Sequence, residues 1–434
     1  TGGEVAMTGV EALLVAKQVD LTLSAEQVAA IGEVNILSTN DPAVDTDDAT
    51  LTVNGLSDEA IDFTAVGTDA LGPVTTAEVD GVITINSATV FGNAEKAVEK
   101  LTIGIEENST EVEMTAAQFN EIEDSEPATA GKQPIVDATA AGIDAASGDA
   151  FEAGLVLTDL ATDQKLDMTA VDAAVSQTVR VADLVADADD QSTLNVDEQF
   201  TINANAKAVT LEVAGGVNDL TAGELNDAFG AVEFSADGSL TLTEAQIGAI
   251  GIEDVNGDGV ADNWAVLSGV TATLNITEID GTSGLDLNLL AAIPGLDIGT
   301  LTIANTDEVV DLAASGMTMG GADQIIMPTA DGLEEGEPIE QTSLTLTAEQ
   351  FEQLDGTGTI TEEGGVTDLE AASTVNLVDL KNTEDSDGDD VYDMTSIDLS
   401  GVEVKNGTIT FAPADPLTPE NEQTVTLSET GNLA

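Results

Sequence analysis

The chain contains neither cysteine nor histidine. Without thiols there is no disulfide framework and no thiolate metal site. Without imidazole there is no Ser–His triad, no His-ligated zinc and no histidine pH switch. Arg180 is the only arginine, and Lys and Arg together number 9 in 434 residues. Phosphate clamps are built from such groups, so nucleic acid is not an expected partner. An anionic membrane repels this surface for the same reason. Aromatic residues make up 3%, with Trp264 and Tyr392 single representatives of their kinds. The core must therefore come from Val, Ile, Leu and Ala, an inventory suited to narrow, regular, solenoid-like cores. No apolar run approaches the roughly 18 residues of a membrane-spanning helix. The chain opens TGGEVAMTG, without a start Met or a signal peptide. A processed or excised piece of a longer precursor is the expectation.

What is abundant is acid. Asp and Glu number 83, giving a formal net charge of −74, yet 42% of the residues are hydrophobic. A disordered acidic tail lacks that apolar content, so a folded protein coated in carboxylates is expected. Two unit charges about 10 Å apart in water repel by roughly 0.4 kcal/mol. Dozens of such pairs rival the ~5–15 kcal/mol that holds a domain together. Concentrated salt shortens the screening length to a few ångströms and removes most of this repulsion. Such a chain suits brine or seawater, outside the cell, and it suits calcium. Surface acidity fits halophilic or marine life and calcium use equally.

One unit recurs. It reads LTLSAEQVAAIG at 21–32, VEMTAAQFNEI at 112–122, NDLTAGELNDAFG at 218–230, LTLTEAQIGAIG at 240–251 and LTLTAEQFEQLDG at 344–356, with a weaker copy LDMTAVDAAV at 166–175. Ser24, Thr115, Thr221, Thr243 and Thr347 are placed as helix N-caps. Gln27, Gln118, Glu224, Gln246 and Gln350, three residues on, complete capping boxes. Apolar residues just before each cap and four after it form a hydrophobic staple. Gly32, Gly230, Gly251 and Gly356 stand where a left-handed C-cap belongs. A helix of two turns does not persist alone, so each must pack on something.

Alternating strands precede the caps, as in VDLTL (19–23), VEM (112–114), SLTLT (239–243) and SLTLT (343–347). Others follow or intervene, including LTV (51–53), VITI (82–85), LTIGI (101–105), VTLEV (209–213), TLNI (273–276), LTI (301–303), TVNLV (374–378), TITF (408–411) and TVTL (424–427). Short Thr-, Val- and Ile-rich strands with Asp, Asn and Gly turns predict a mainly β protein. Strand, short helix, strand predicts right-handed crossovers with parallel pairing. The caps fall at irregular intervals, which argues against a strict repeat array. The expected fold is an irregular, right-handed parallel β-solenoid with short capped helices; tandem β-sandwich domains are the alternative. DSEPATAGKQP (124–134) and DGLEEGEPIE (331–340) read as linkers, dividing β-rich regions at 1–123, 135–330 and 341–434. The tail APADPLTPENEQ (412–423) holds three prolines before a last strand, which suits an edge or exchange strand.

The sharpest chemical motif is DVNGDGVAD. Asp254, Asn256, Asp258 and Asp262 carry the 1, 3, 5, 9 oxygen spacing of a calcium loop, Gly259 supplies the turn, and Val260 the backbone carbonyl. Position twelve is Ala265 rather than Glu, so this is not a complete EF-hand. In DSDGDDVYD, Asp385, Asp387, Asp389 and Asp393 keep the spacing, but Asp390 replaces the turn glycine. Each loop competes with a plain acidic turn, common in a chain so rich in Asp. Calcium affinity of about 10⁻⁴–10⁻³ M is expected, as in extracellular modules. DTDD (45–48) and DADD (187–190) read as solvated turns.

Catalysis is not expected. With 83 acids, two close carboxylates are uninformative, although paired carboxylates are what a glycosidase needs. Sugar platforms need several Trp and Tyr, and no group is recognisably poised for acid–base work. Threonine rows that order water at an ice surface need a flat, regular array, and the Thr pairs at Thr22, Thr241 and Thr345 fall at uneven spacing.

The two Asp-rich loops resemble the calcium loops of thrombospondin type 3 and dockerin repeats, over about nine residues each. Acidity, no Cys, LTxTAEQ-like units and DxNxDG loops together resemble large secreted bacterial repeat proteins: surface-layer proteins, calcium-dependent adhesins and extracellular filament subunits. The resemblance implies a structural, non-enzymatic role at the cell exterior. Calcium would rigidify the protein or bridge subunits. The partners implied are other copies of the chain and cell-surface glycans, without insertion into a membrane. A stalk segment of an adhesin and a secreted polysaccharide-acting enzyme are the alternatives.

Overall fold

In a computed structural model the described residues run from 7 to 362, except 39–49, 123–135, 139–151, 186–198, 328–342 and breaks of one to four residues elsewhere. Beyond 362 they are the strands Thr374–Val378, Ile397–Asp398, Thr408–Phe411 and Val425–Thr426. Both expected linkers, the tail 412–423, the clusters 45–48 and 187–190, and Gly356 lie outside the described residues.

The protein is mainly β, with parallel sheets. It divides into two compact units, Thr1–Glu212 with Ala222–Ala231, and Val213–Thr221 with Val232–Ala434. In the first unit one sheet orders Leu21–Ser24, Thr50–Leu56, Ala70–Thr76, Leu101–Ile103 and Val136–Ala138 side by side. A second sheet orders Gly81–Thr84, Thr110–Thr115, Ala153–Thr158, Val175–Val181 and Val209–Val213. The second unit has Gly216–Asp219, Gly238–Thr243, Ala272–Ile279, Leu296–Ile303, Gln324–Met327 and Thr359–Glu362 in one sheet. Another sheet there holds Val309–Asp311, Ser343–Thr347, Thr374–Val378 and Thr408–Phe411. Strands thus sit in chain order within a sheet, and the chain often visits another sheet between two neighbours. A hairpin of Gly92–Asn93 with Lys96–Ala97 is antiparallel. Sandwich domains, by contrast, are built from antiparallel sheets.

The alternation read from sequence sets the faces. In Thr110–Thr115 the inward Val112 and Met114 are buried, and in Gly238–Thr243 so are Leu240 and Leu242. The register stacks like on like, Leu240 beside Leu274 and Leu242 beside Ile276. Each such side chain, fully buried, contributes about 1.5–3 kcal/mol. Several of the few aromatics lie in the core: Phe63 stacks on Phe91 at 5.9 Å, and Phe119, Phe200, Phe229 and Phe234 are fully buried.

Four corners carry the expected capped helix: Ala25–Ile31, Ala116–Asn120, Glu244–Ile250 and Ala348–Glu352. In each, the Ser or Thr oxygen accepts the amide of the Gln three residues on, and the Gln oxygen accepts the cap amide. In three of them the glutamine has a second task. Gln118 Nε2 donates to the carbonyls of Asn86 and Thr89, at 2.8 and 2.9 Å. Gln246 Nε2 donates to Leu220 O, and Gln350 Nε2 to Leu312 O and Met317 O. The amide therefore closes its own helix and ties it to an earlier stretch of chain.

The copy at 218–230 departs from expectation. Thr221 caps no helix; its amide and hydroxyl both donate to Asp219 Oδ1, a turn follows at 221–222, and Glu224 bridges to Thr201. The reason is chemical. Asp219 offers the amide of Thr221 a closer acceptor, and the Glu224 side chain has no N–H with which to bridge to a carbonyl. Gly230, expected as a C-cap, lies in the strand Phe229–Phe234, where a Cβ would meet the Lys207 carbonyl oxygen at 2.5 Å. The weaker copy is a 3-10 turn, Met168–Ala170, capped by Asp167. Gly32 and Gly251 do end helices with φ of 81° and 86°, but their ψ of 133° and 160° continues as extended chain rather than left-handed helix.

Candidate metal loop

The loop follows the helix Glu244–Ile250 and precedes the strand Trp264–Val266. Both ends are pinned. Trp264 Nε1 and Asn263 Nδ2 donate to Gly251 O, at 2.9 and 3.1 Å. Asp262 N donates to Glu253 O at 2.7 Å, and Ala261 N to Leu289 O at 3.2 Å. Trp264 is buried, so its indole N–H needs this partner.

Between these anchors the acidic oxygens are turned onto backbone amides. Asp254 Oδ1 accepts from Gly257 and Asp258, at 2.6 and 3.1 Å, and Oδ2 from Gly259 at 3.0 Å. Asn256 Oδ1 accepts from Asp258 N at 2.8 Å, and Asp258 Oδ1 from Val260 N at 3.0 Å. Asp262 Oδ2 accepts from Val255 and Asn256, and Oδ1 from Asn256 Nδ2. Gly257 and Gly259 have φ of 77° and 84°, which lets the chain circle the Asp254 carboxylate.

The five sequence-derived positions Asp254, Asn256, Asp258, Val260 and Asp262 thus fall in one turn. Their donor set is all oxygen, which suits a hard cation such as calcium. Their present geometry is that of a self-satisfied turn. Among the described residues, no group of three or more acidic side chains stands together in a cation cage. A carboxylate offers about four acceptor sites; Asp258 uses one on Val260 N, whereas Asp254 and Asp262 each accept three hydrogen bonds. Asp385, Asp387, Asp389 and Asp393 lie outside the described residues.

Two charged clusters were not apparent from sequence. Arg180 bridges Glu212, at 2.8 Å from its Nε, and Glu113, which its Nη1 touches. Partial burial opposes the guanidinium charge, but hydrogen bonds to Glu212 and Glu113 outweigh it, so Arg180 holds its proton more tightly than usual. Burial pushes the nearby Glu111 carboxyl up, Arg180 pulls it down, and Glu212 and Glu113 push it up further. The second cluster is Glu244, a buried carboxylate. It accepts the amides of Asp280, Gly281 and Ser283, at 2.7, 3.1 and 2.9 Å. The side-chain hydrogen bond with Thr282 leads the causes that hold the Asp280 carboxyl below its usual range. The uniqueness of Arg180 was the one signal that could have marked the first cluster; nothing local marked the second.

No family model matches the chain, and neither the curated proteins nor the solved structures compared with it contain a match. Among the described residues, no helix is long and apolar enough to cross a membrane.

Proposed function

We propose that this chain is a non-enzymatic extracellular structural protein, folded as an irregular right-handed β-solenoid, that assembles with its own copies into a layer or filament. Calcium stabilises it or bridges the copies. The observation that carries the reading is the combination of chain-ordered parallel sheets with a coat of 83 acids against 9 bases. Within a sheet, each new strand adds to the last along one direction over an aliphatic core. The carboxylates keep copies of the chain apart until cations lie between them.

The loop at 254–262 is the best-formed place for calcium, with Asp254, Asn256, Asp258, the Val260 carbonyl and Asp262 as ligands. The loop at 385–393, with Asp385, Asp387, Asp389 and Asp393, is a second. Resemblance to surface-layer and filament proteins supports the same role. Cell-surface glycans remain partners of the adhesin-stalk variant of this reading, which differs in staying monomeric.

Titration calorimetry on the whole chain tests the ion. The wild type is expected to bind calcium at about 10⁻⁴–10⁻³ M. Asp254→Ala with Asp258→Ala is expected to remove one class of sites. Unaltered binding in that variant would leave the first loop as a turn and nothing more. Particle size by electron microscopy, with and without chelator, separates an assembling subunit from a stalk.

A further inference from the structure

The turn at 254–262 holds a second chemistry besides its oxygen spacing. Asn256 is followed by Gly257. In an Asn–Gly pair the following amide nitrogen can attack the side-chain carbonyl carbon, because glycine puts no Cβ in the way. The pair occurs three times, at 54–55, 256–257 and 406–407, the last outside the described residues. The first two share the tripeptide Val-Asn-Gly, so their unfolded chemistry is closely matched. Their folded settings differ. Asn54 lies in the strand Thr50–Leu56, with Ser24 and Thr75 as register neighbours. Strand amides pair with carbonyls, which are not bases. Asn256 lies in a turn, and Asn256, Gly257 and Asp258 are exposed to water.

The contacts around Asn256 have the form of a reaction site. The Gly257 amide donates to Asp254 Oδ1 at 2.6 Å. The nucleophile's hydrogen is therefore held by a carboxylate, inside the reach of about 2.6–3.2 Å that a general base needs. Asn256 Oδ1 accepts from Asp258 N at 2.8 Å. That bond folds the carboxamide back along its own main chain. It also puts a donor where negative charge develops when the carbonyl is attacked. Gly257 has φ of 77°, and a Cβ there would meet nothing within 4 Å, so no neighbour crowds the attack.

We infer that Asn256 is a self-modifying site, deamidated by its own turn with Asp254 as general base. Gly257 N bonds to Asn256 Cγ while Asp254 takes the amide proton. The cluster's net charge does not change in that step, so the surrounding acids do not oppose it. The bond from Cγ to Nδ2 then breaks, the proton returns to that nitrogen, and ammonia departs. Water opens the resulting succinimide at either carbonyl, leaving an aspartate or an isoaspartate at position 256. The net change is amide and water to carboxylate and ammonium. The modification itself stands apart from the calcium reading, and its consequence rests on it. An aspartate adds a carboxylate to the ligand set, whereas an isoaspartate lengthens the main chain and breaks the alternate-residue spacing of the ligands.

Peptide mapping by mass spectrometry over time tests this on the full chain. The buffer is mildly alkaline, with chelator and about 1 M NaCl to screen charge repulsion, and a parallel arm adds urea to unfold the chain. Folded, Asn256 is expected to convert about ten-fold or more faster than in urea, and Asn54 no faster. Asp254→Asn keeps the shape and an acceptor oxygen but removes the base. Its Asn256 is expected to fall to the urea rate, with unchanged Trp264 emission showing that the turn is still anchored. Conversion of Asn256 no faster in the folded wild type than in urea overturns the inference. So does a folded Asp254→Asn variant that converts at the wild-type rate. Calcium in place of chelator is expected to slow conversion, by drawing the Asp254 and Asn256 oxygens onto the ion. A rate unmoved by calcium would count against the loop as a calcium site and not against the modification.

Discussion

The outer face of the first unit's sheet and that of the second unit's sheet are built on the same inner rule and end oppositely. Both bury Val, Leu and Ile at every other position of parallel strands. Outside, the first carries Glu111 and Glu113 on one strand and Glu212 three strands away, and the only arginine, on a strand between them, bridges Glu113 and Glu212. Val156, an outward position between Leu155 and Leu157, is 2% exposed beside Glu113 and Thr178. The second face has mostly threonine and amide groups, with Asp297 beside Thr273 and Asp219 beside Thr241. The polyanion's charge is therefore not a uniform coat. Where glutamates crowd onto one sheet face, Arg180 bridges two of them, and on the second face the acids stand singly among hydroxyls and amides.

That contrast can be broken by experiment. The largest effect belongs to Arg180→Ala, which leaves three glutamates facing one another. A loss of about 2–3 kcal/mol in dilute salt is expected, below the cost of breaking a fully buried pair because the side chains are 14–29% exposed. Urea denaturation at low and high salt measures it. A loss that did not shrink in salt would mean that Arg180 acts by packing over Val156 rather than by charge.

The corners beneath the two faces should behave alike. Gln118→Glu and Gln246→Glu each replace a donor with a carboxylate aimed at carbonyl oxygens. Each is expected to cost about 1–3 kcal/mol, by the same denaturation assay. Unequal costs in which only the first unit suffers would point to general repulsion instead of the lost bridge.

The smallest effect comes from Glu111→Gln. The Glu111 carboxyl is pushed up in the folded state, first by burial. A raised folded pKa means that the folded protein binds this proton more readily, so ionised Glu111 lowers stability as pH rises through its unfolded value toward neutrality. Glu111→Gln is expected to raise the melting temperature at pH 7 in dilute salt, by under ~1 kcal/mol of stability. The gain is expected to vanish as the pH falls through the ordinary carboxylate range. A gain that persisted in acid would rule out the cost of ionising a half-buried carboxyl as its cause.

Much of the local structure was legible. VTLEV, TVNLV and TITF lie at the strands Val209–Val213, Thr374–Val378 and Thr408–Phe411. Four of the five capping boxes hold. The fifth failed because the cap rule admits Glu where this fold also uses the amide N–H, a requirement visible only once the carbonyls of Leu220 or Thr89 are in place. Strands such as Ala153–Thr158 and Val175–Val181 were not anticipated, since Val156 at an outward position and Gln177 at an inward one interrupt the apolar alternation. The charged cluster was hidden by distance: Arg180 meets partners 32 and 67 residues away in the chain. In the metal loop, the spacing of oxygens was readable, and so was the glycine turn. How far each carboxylate turns onto its own amides was not, because neighbours in that loop compete for the same acceptors.

The central claim is that this acidic scaffold holds its shape and its neighbours through dissolved cations. The most direct measurement is sedimentation velocity with a parallel thermal melt, in dilute buffer with chelator and again with millimolar calcium. The account predicts an expanded, low-melting monomer in the first buffer and a compact, higher-melting, assembled species in the second. Identical sedimentation and identical melting in both buffers would contradict it.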